Sequence, residues 1–151
     1  MTFFRANVGI MLVNEHKQVL ALERADIAKA WQMPQGGIDE GEDPLLAAKR
    51  ELHEETGIPE DKFEFRTSYP TWLAYELPPH MRRPQLGMGQ VQKWFLFRYL
   101  GTDEEINLET AKDKEFKSWK WMSLGDLAET TVTFRRRIYW QLAHWLSEIP
   151  L

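Results

Sequence analysis

The sequence predicts an α+β fold in one domain spanning residues 1–151, with a helix inserted between strands. Three observations carry this prediction. Apolar, β-branched runs recur at Asn7–Val13, Gln18–Glu23, Val91–Leu100 and Phe116–Met122, each bounded by turn-forming residues. Two segments, Pro44–Glu55 and Arg135–Glu148, instead show helical apolar spacing. Finally, 151 residues that are 43% hydrophobic, with seven Trp and eight Phe, suffice to bury one core and exclude a disordered chain.

In chain order, Asn7–Val13 and Gln18–Glu23 form a β-hairpin around the polar turn Asn14-Glu15-His16-Lys17. Trp31–Met33 is a short strand running into Pro34-Gln35-Gly36-Gly37, read as a glycine-rich loop. In the helix Pro44–Glu55, Asp43 caps the start and Pro44 takes the first helical position. Gly57 supplies the left-handed residue past its end, while Leu45, Leu46, Ala48 and Leu52 supply a buried face. Phe63–Leu77 gives two strand pieces bent at Pro70, and Pro78–Gly89, with three prolines, is a surface loop. Leu124–Glu129 is a short helix. In the final amphipathic helix, Ile138, Leu142, Trp145 and Ile149 lie along one stripe. The tryptophans at 31, 94, 119, 121 and 145 read as core and sheet packing.

Composition narrows the chemistry. Without cysteine there is no disulfide framework, thiolate metal site or cysteine nucleophile. No apolar run approaches the ~20 residues needed to cross a bilayer, and Met1–Arg5 does not read as a signal peptide, so a cytoplasmic protein is expected. A net charge of −4 argues against a protein that coats long duplex nucleic acid, though not against one that grips a short end. That charge is concentrated. Residues 36–58 hold seven acids and two bases, a net of −5, which leaves +1 on the rest of the chain.

Residues 36–58 read GGIDEGEDPLLAAKRELHEETGI. On a helix, Glu51, Glu54 and Glu55 stand at i, i+3 and i+4, so their carboxylates share a face and repel one another unless neutralised. Such hard oxygen donors suit Mg²⁺ or Mn²⁺, ions that keep waters and bridge to substrate phosphates. Arg50 is positioned to orient a carboxylate such as Glu42 or Glu51, and Gly36 and Gly37 permit a tight approach of backbone to metal. His53 occupies a position facing away from the carboxylates and takes no catalytic role.

This segment resembles the Nudix box, Gly-x5-Glu-x7-Arg-Glu-U-x-Glu-Glu-x-Gly-U with U apolar, and matches it at every specified position. The resemblance implies an α/β/α sandwich around a mixed sheet, with the box as a loop–helix–loop. It also implies divalent-metal hydrolysis of a nucleoside diphosphate linked to another moiety. By position, Glu51, Glu54 and Glu55 become the metal ligands, the Gly36 carbonyl a further candidate ligand, and Glu42 and Arg50 their supports.

The flanks extend the likeness. Arg5-Ala6-Asn7-Val8-Gly9, Trp31-Gln32-Met33-Pro34-Gln35-Gly36-Gly37, Thr71-Trp72-Leu73, Gly89-Gln90-Val91-Gln92-Lys93-Trp94-Phe95, Glu115–Trp121 and Val132–Arg136 resemble the bacterial RNA pyrophosphohydrolases. The plant-type asymmetric dinucleoside tetraphosphate hydrolases are close relatives in this pattern. The bacterial enzymes convert 5′-triphosphorylated RNA to the 5′-monophosphate, releasing pyrophosphate and exposing the transcript to decay.

The resemblance assigns Arg24, Val132 and Phe134 to a nucleobase near the RNA 5′ end and Arg5 and Lys93 to phosphates. Gln35 lies near the substrate, and Glu115 stands as an additional carboxylate that binds metal or acts as general base. The residues alone fit this: Arg5, Arg24, Lys93 and Arg135–Arg137 are cations able to meet a triphosphate, and Phe134 can stack on an unpaired base for ~1–3 kcal/mol. Two rival readings share these features. One is a dinucleoside polyphosphate hydrolase using the same site; the other is a non-catalytic nucleotide or RNA sensor, which should show eroded box carboxylates.

Overall fold

The computed structural model describes residues 3–112 and 114–151; Met1 and Thr2 of the amino-terminal segment lie outside it. Among the described residues, eight strands form one mixed sheet: β1 (Phe4–Val13), β2 (Val19–Arg24), β3 (Trp31–Gln32), β4 (Gln35–Gly37), β5 (Phe63–Ser68), β6 (Leu73–Glu76), β7 (Gly89–Tyr99) and β8 (Phe116–Met122). Three helices cover it: α1 (Pro44–Thr56), α2 (Leu124–Thr130) and α3 (Thr133–Ser147). The spine runs β3-β2-β1-β7-β5, with β4 on β1, β6 on β7 and β8 on β2. Among the described residues, only β1 and β7 pair in parallel, from Phe4↔Gly89 to Val13↔Arg98, and the other strand pairings are antiparallel.

β1 is apolar on consecutive residues because both its faces are covered. Val8, Ile10 and Leu12 pack with Ala47, Ala48 and Leu52 of α1, while Met11 and Val13 pack with Leu127 of α2 and Ile138, Tyr139 and Leu142 of α3. The sheet thus has a helical layer on each face, the α/β/α sandwich. Among the described residues, no helix is long and apolar enough to cross a membrane.

The caps of α1 follow the sequence. The Asp43 carboxylate accepts the Leu45 and Leu46 N–H groups at 3.0 and 3.4 Å, and Gly57 closes the helix at φ 73°. Side-chain room enforces glycine there as well, since a Cβ would lie 2.6 Å from the Asn107 carbonyl oxygen. Trp94 is fully buried, and Trp31, Trp119, Trp121 and Trp145 pack partly buried against the two cores.

Four expectations are corrected. Gln35–Gly37 is a strand, paired Gly9↔Gln35, Val8↔Gly36 and Asn7↔Gly37, because the backbone groups of β1 on that side need partners. Leu46 is 58% exposed: it shares its side of α1 with Arg50, and the buried stripe is Ala47, Ala48, Glu51, Leu52 and Glu55. Gly89 belongs to β7, opposite Phe4, and not to the loop before it. Finally, α3 starts at Thr133 and so takes in Phe134.

Candidate active site

The box lies on the β4–α1 connection and along α1, and Arg50 organises it. Its Nε and Nη2 donate to the two Glu42 carboxylate oxygens at 2.8 and 2.9 Å, a bidentate pair. Nη2 also reaches the Gly37 carbonyl at 2.9 Å, and Nη1 donates to Glu51 at 2.9 Å and Glu54 at 3.2 Å. The Asp39 N–H adds a bond to Glu42 at 2.9 Å. The Arg50 guanidinium, assisted by that amide, holds the Glu42 carboxyl down at about 2. The hydrogen bonds that Arg50 donates to Glu42, with the one it donates to Glu51, raise Arg50 still higher above neutral pH, so both charges persist.

Part of the neutralisation that the three carboxylates call for comes from the chain itself. Arg50, on the same helix, stands against Glu51 and Glu54, and Lys112 lies 3.4 Å from Glu54. Among the described residues, no three acidic or histidine side chains converge as a ready-made ligand cluster. Two features nonetheless fit a divalent cation. Glu51 and Glu55 are buried, 9% and 2% exposed, and offer only hard oxygen donors beside Glu54. Gly36 also abuts Glu51 so closely that a Cβ would sit 2.0 Å from its carboxyl carbon. A side chain at this position would have to displace the Glu51 carboxylate. His53 turns away, its Nδ1 2.7 Å from the Ile58 carbonyl oxygen.

The remaining candidates divide between the two sheet faces, because neighbouring strand residues alternate. Lys93 sits opposite Val8 on the α1 side, and its Nζ donates to the Tyr69 carbonyl at 2.9 Å. On the α3 side, Gln35 accepts from Gln92 at 3.0 Å, and alternation puts Arg5 on the same face as Asn7. Phe134 stacks on Tyr75 with centroids 5.3 Å apart and planes at 28°, so it is half-buried packing as well as a candidate platform. The Arg135 guanidinium lies 5.3 Å from that ring and donates to Gln32 at 3.1 Å. Val132, half-buried, is the N-cap residue immediately before α3. Arg24 is held by a bidentate pair with Asp26, both bonds 2.8 Å, beside a bulge in the β2–β8 register. Glu115 is exposed close by, its carbonyl accepting the Ala25 N–H at 2.8 Å.

A polar lining on the α3 face was missed in the sequence. Gln90 accepts from Asn7 at 2.5 Å and from the Tyr75 hydroxyl at 2.8 Å, and Gln92 accepts from Trp94 Nε1 at 3.2 Å. Asn7, Gln32, Gln90 and Gln92 are all at most 8% exposed. Their signal was available: Gln90 and Gln92 alternate with Val91 and Lys93 in a buried strand, and buried amides demand partners.

The model of the NUDIX domain matches residues 3–142. The chain is 48% identical over 140 residues to a Cereibacter sphaeroides protein named RNA pyrophosphohydrolase, covering 90% of this chain and 86% of the relative. It is 46% identical over 147 residues to a Rhodospirillum rubrum protein of the same name, covering 95% and 87%. Among solved structures, an Ap4A hydrolase binary complex from C. elegans superposes with a TM-score of 0.70 at 21% identity, over 96% of this chain and 99% of that one, a likeness of fold. With a family model over nearly the whole chain and the complete box running from β4 through α1, this protein belongs to the Nudix family, among the relatives named RNA pyrophosphohydrolase.

Proposed function

We propose that this protein is an RNA 5′-pyrophosphohydrolase, converting 5′-triphosphorylated RNA to 5′-monophosphorylated RNA with release of pyrophosphate. The observation that carries the reading is the 46–48% identity, over at least nine-tenths of the chain, to bacterial proteins bearing that name. In this reading one catalytic domain spans the chain, and Glu51, Glu54 and Glu55, with the Gly36 carbonyl, hold Mg²⁺ or Mn²⁺. When bound, such an ion neutralises polyphosphate charge and lowers the pKa of water. Glu42 and Arg50 fix the carboxylates: the bidentate pair keeps Arg50 on Glu51 and Glu54. Glu115 is the additional carboxylate, and a general base must come within hydrogen-bond reach of the attacking water.

Substrate contacts follow the two faces. Lys93 meets phosphates on the α1 side. On the other side, Phe134, Val132, Arg135 and Gln35 receive the first nucleotides, with Arg5 and Arg24 as further cations. The stacked Tyr75–Phe134 pair supports this, since it presents an aromatic surface at the start of α3. Such a substrate belongs to the cytoplasm, the proposed location.

The test compares Mg²⁺-dependent pyrophosphate release from a short 5′-triphosphate RNA with cleavage of diadenosine tetraphosphate. The proposal expects preference for the RNA. A strong preference for the dinucleotide would make the protein a dinucleoside polyphosphate hydrolase, and binding without cleavage of either would make it a sensor.

A further inference from the structure

Tyr139 is fully buried in α3, yet its hydroxyl has a defined duty: it accepts the Met33 N–H at 2.9 Å. Met33 lies between β3 and β4, beyond one ladder and before the next. Its amide is in the interior, where an unpaired N–H is costly, and the phenol supplies the acceptor. A phenylalanine would fill the same space without that bond.

Two more struts join α3 to the same segment. One turn before Tyr139, Arg135 donates to Gln32. The Tyr139 ring meets Trp94 edge-on, centroids 5.9 Å apart, and Trp94 reaches Gln35 through Gln92. Pro34 is pinned from the other side, its carbonyl accepting the Ile10 N–H at 2.9 Å. The next residues bring Gly36 against the Glu51 carboxylate. Residues 32–36 are thus clamped, and α3 is one jaw of the clamp. Its first turn carries Phe134 and Arg135.

We propose that Tyr139 is a positioning residue that couples the nucleotide-contacting start of α3 to the Gly36–Glu51 contact. What binds at Phe134 and Arg135 then affects the chemical step as well as affinity. This rests on the substrate reading above, so the test includes measurements that do not need it.

In Tyr139→Phe, amide hydrogen exchange at Met33 and at Gln35–Gly37 should speed up while the circular dichroism spectrum is kept. Mn²⁺ affinity, read by EPR titration without RNA, should weaken, and kcat on triphosphate RNA should fall about tenfold, the lower end for partners that hold a metal ligand from behind. KM should stay within about twofold, the pattern of an interaction made in the transition state. Phe134→Ala should lower kcat in the native background but only raise KM in Tyr139→Phe, because coupled sites are non-additive. Unchanged kcat with unchanged Mn²⁺ affinity overturns the proposal, as do kcat losses that simply multiply. Should Tyr139→Phe not fold, Trp94→Phe, which removes the donor to Gln92, must show the same kcat loss or the proposal fails. If the native protein releases no pyrophosphate from RNA, the substrate reading fails, while exchange and Mn²⁺ affinity still decide the role of Tyr139.

Discussion

Arg50 holds Glu42 charged by placing Nε and Nη2 on its two carboxylate oxygens, while its Nη1 donates to Glu51 and Glu54. Glu42 titrates near 2 in the folded chain against an ordinary 4.5. Between those values the unfolded chain binds more protons, so this pair stabilises the fold above about pH 4.5 and is lost as pH falls towards 2. Replacing Glu42 with Gln should flatten that acid limb, measured as urea midpoint against pH. Glu54 is a sharper probe of the proposed metal role. Glu54→Gln keeps the shape of the side chain and should lower kcat at least about 100-fold, beyond what supporting partners of a ligand usually contribute. Near-native Mg²⁺-dependent turnover with an unchanged melting temperature would remove Glu54 from the ligand set.

At the scale of elements, α1 is a helix whose buried stripe contains two glutamates, so the site is built into the packing surface itself. Its start depends on Asp43. Asp43→Ala should cost about 1 kcal/mol, typical of a lost N-cap, seen as a lower urea midpoint at constant slope. The helix was legible in the sequence because cap, Pro44, apolar spacing and Gly57 all agree. β4 was not legible. Gln35–Gly37 has loop composition, and what makes it a strand is β1 beside it, a partner far away in sequence. The exposure of Leu46 has a similar origin: which apolar residues of α1 face inward depends on where the sheet lies.

For the whole molecule, the charge separation shapes binding. Residues 36–58 carry −5 in a chain of net −4, so cations that bind there oppose local repulsion. A ligand that binds only the folded state at a hundredfold excess over its Kd adds about 2.7 kcal/mol. For a chain of this size that is about 5–10 °C in melting temperature, which Mg²⁺ or Mn²⁺ should confer and EDTA reverse. Tm indifferent to both ions would exclude a folded-state cation site of useful affinity.

The sequence by itself determined the α+β class, the capped box helix and the row of carboxylates on one side of it, because these depend on neighbours within one or two turns. Only the tertiary structure decided that Gly36 lies against Glu51 and that Lys93 and Phe134 lie on opposite faces of the sheet. It also decided that Asn7 joins Gln90 between β1 and β7, that Gln92 joins Gln35 of β4, and that Tyr139 ties α3 to the segment leading into β4. Those relations depend on strand register and on which buried polar groups find partners, and both are fixed by pairing between residues tens of positions apart.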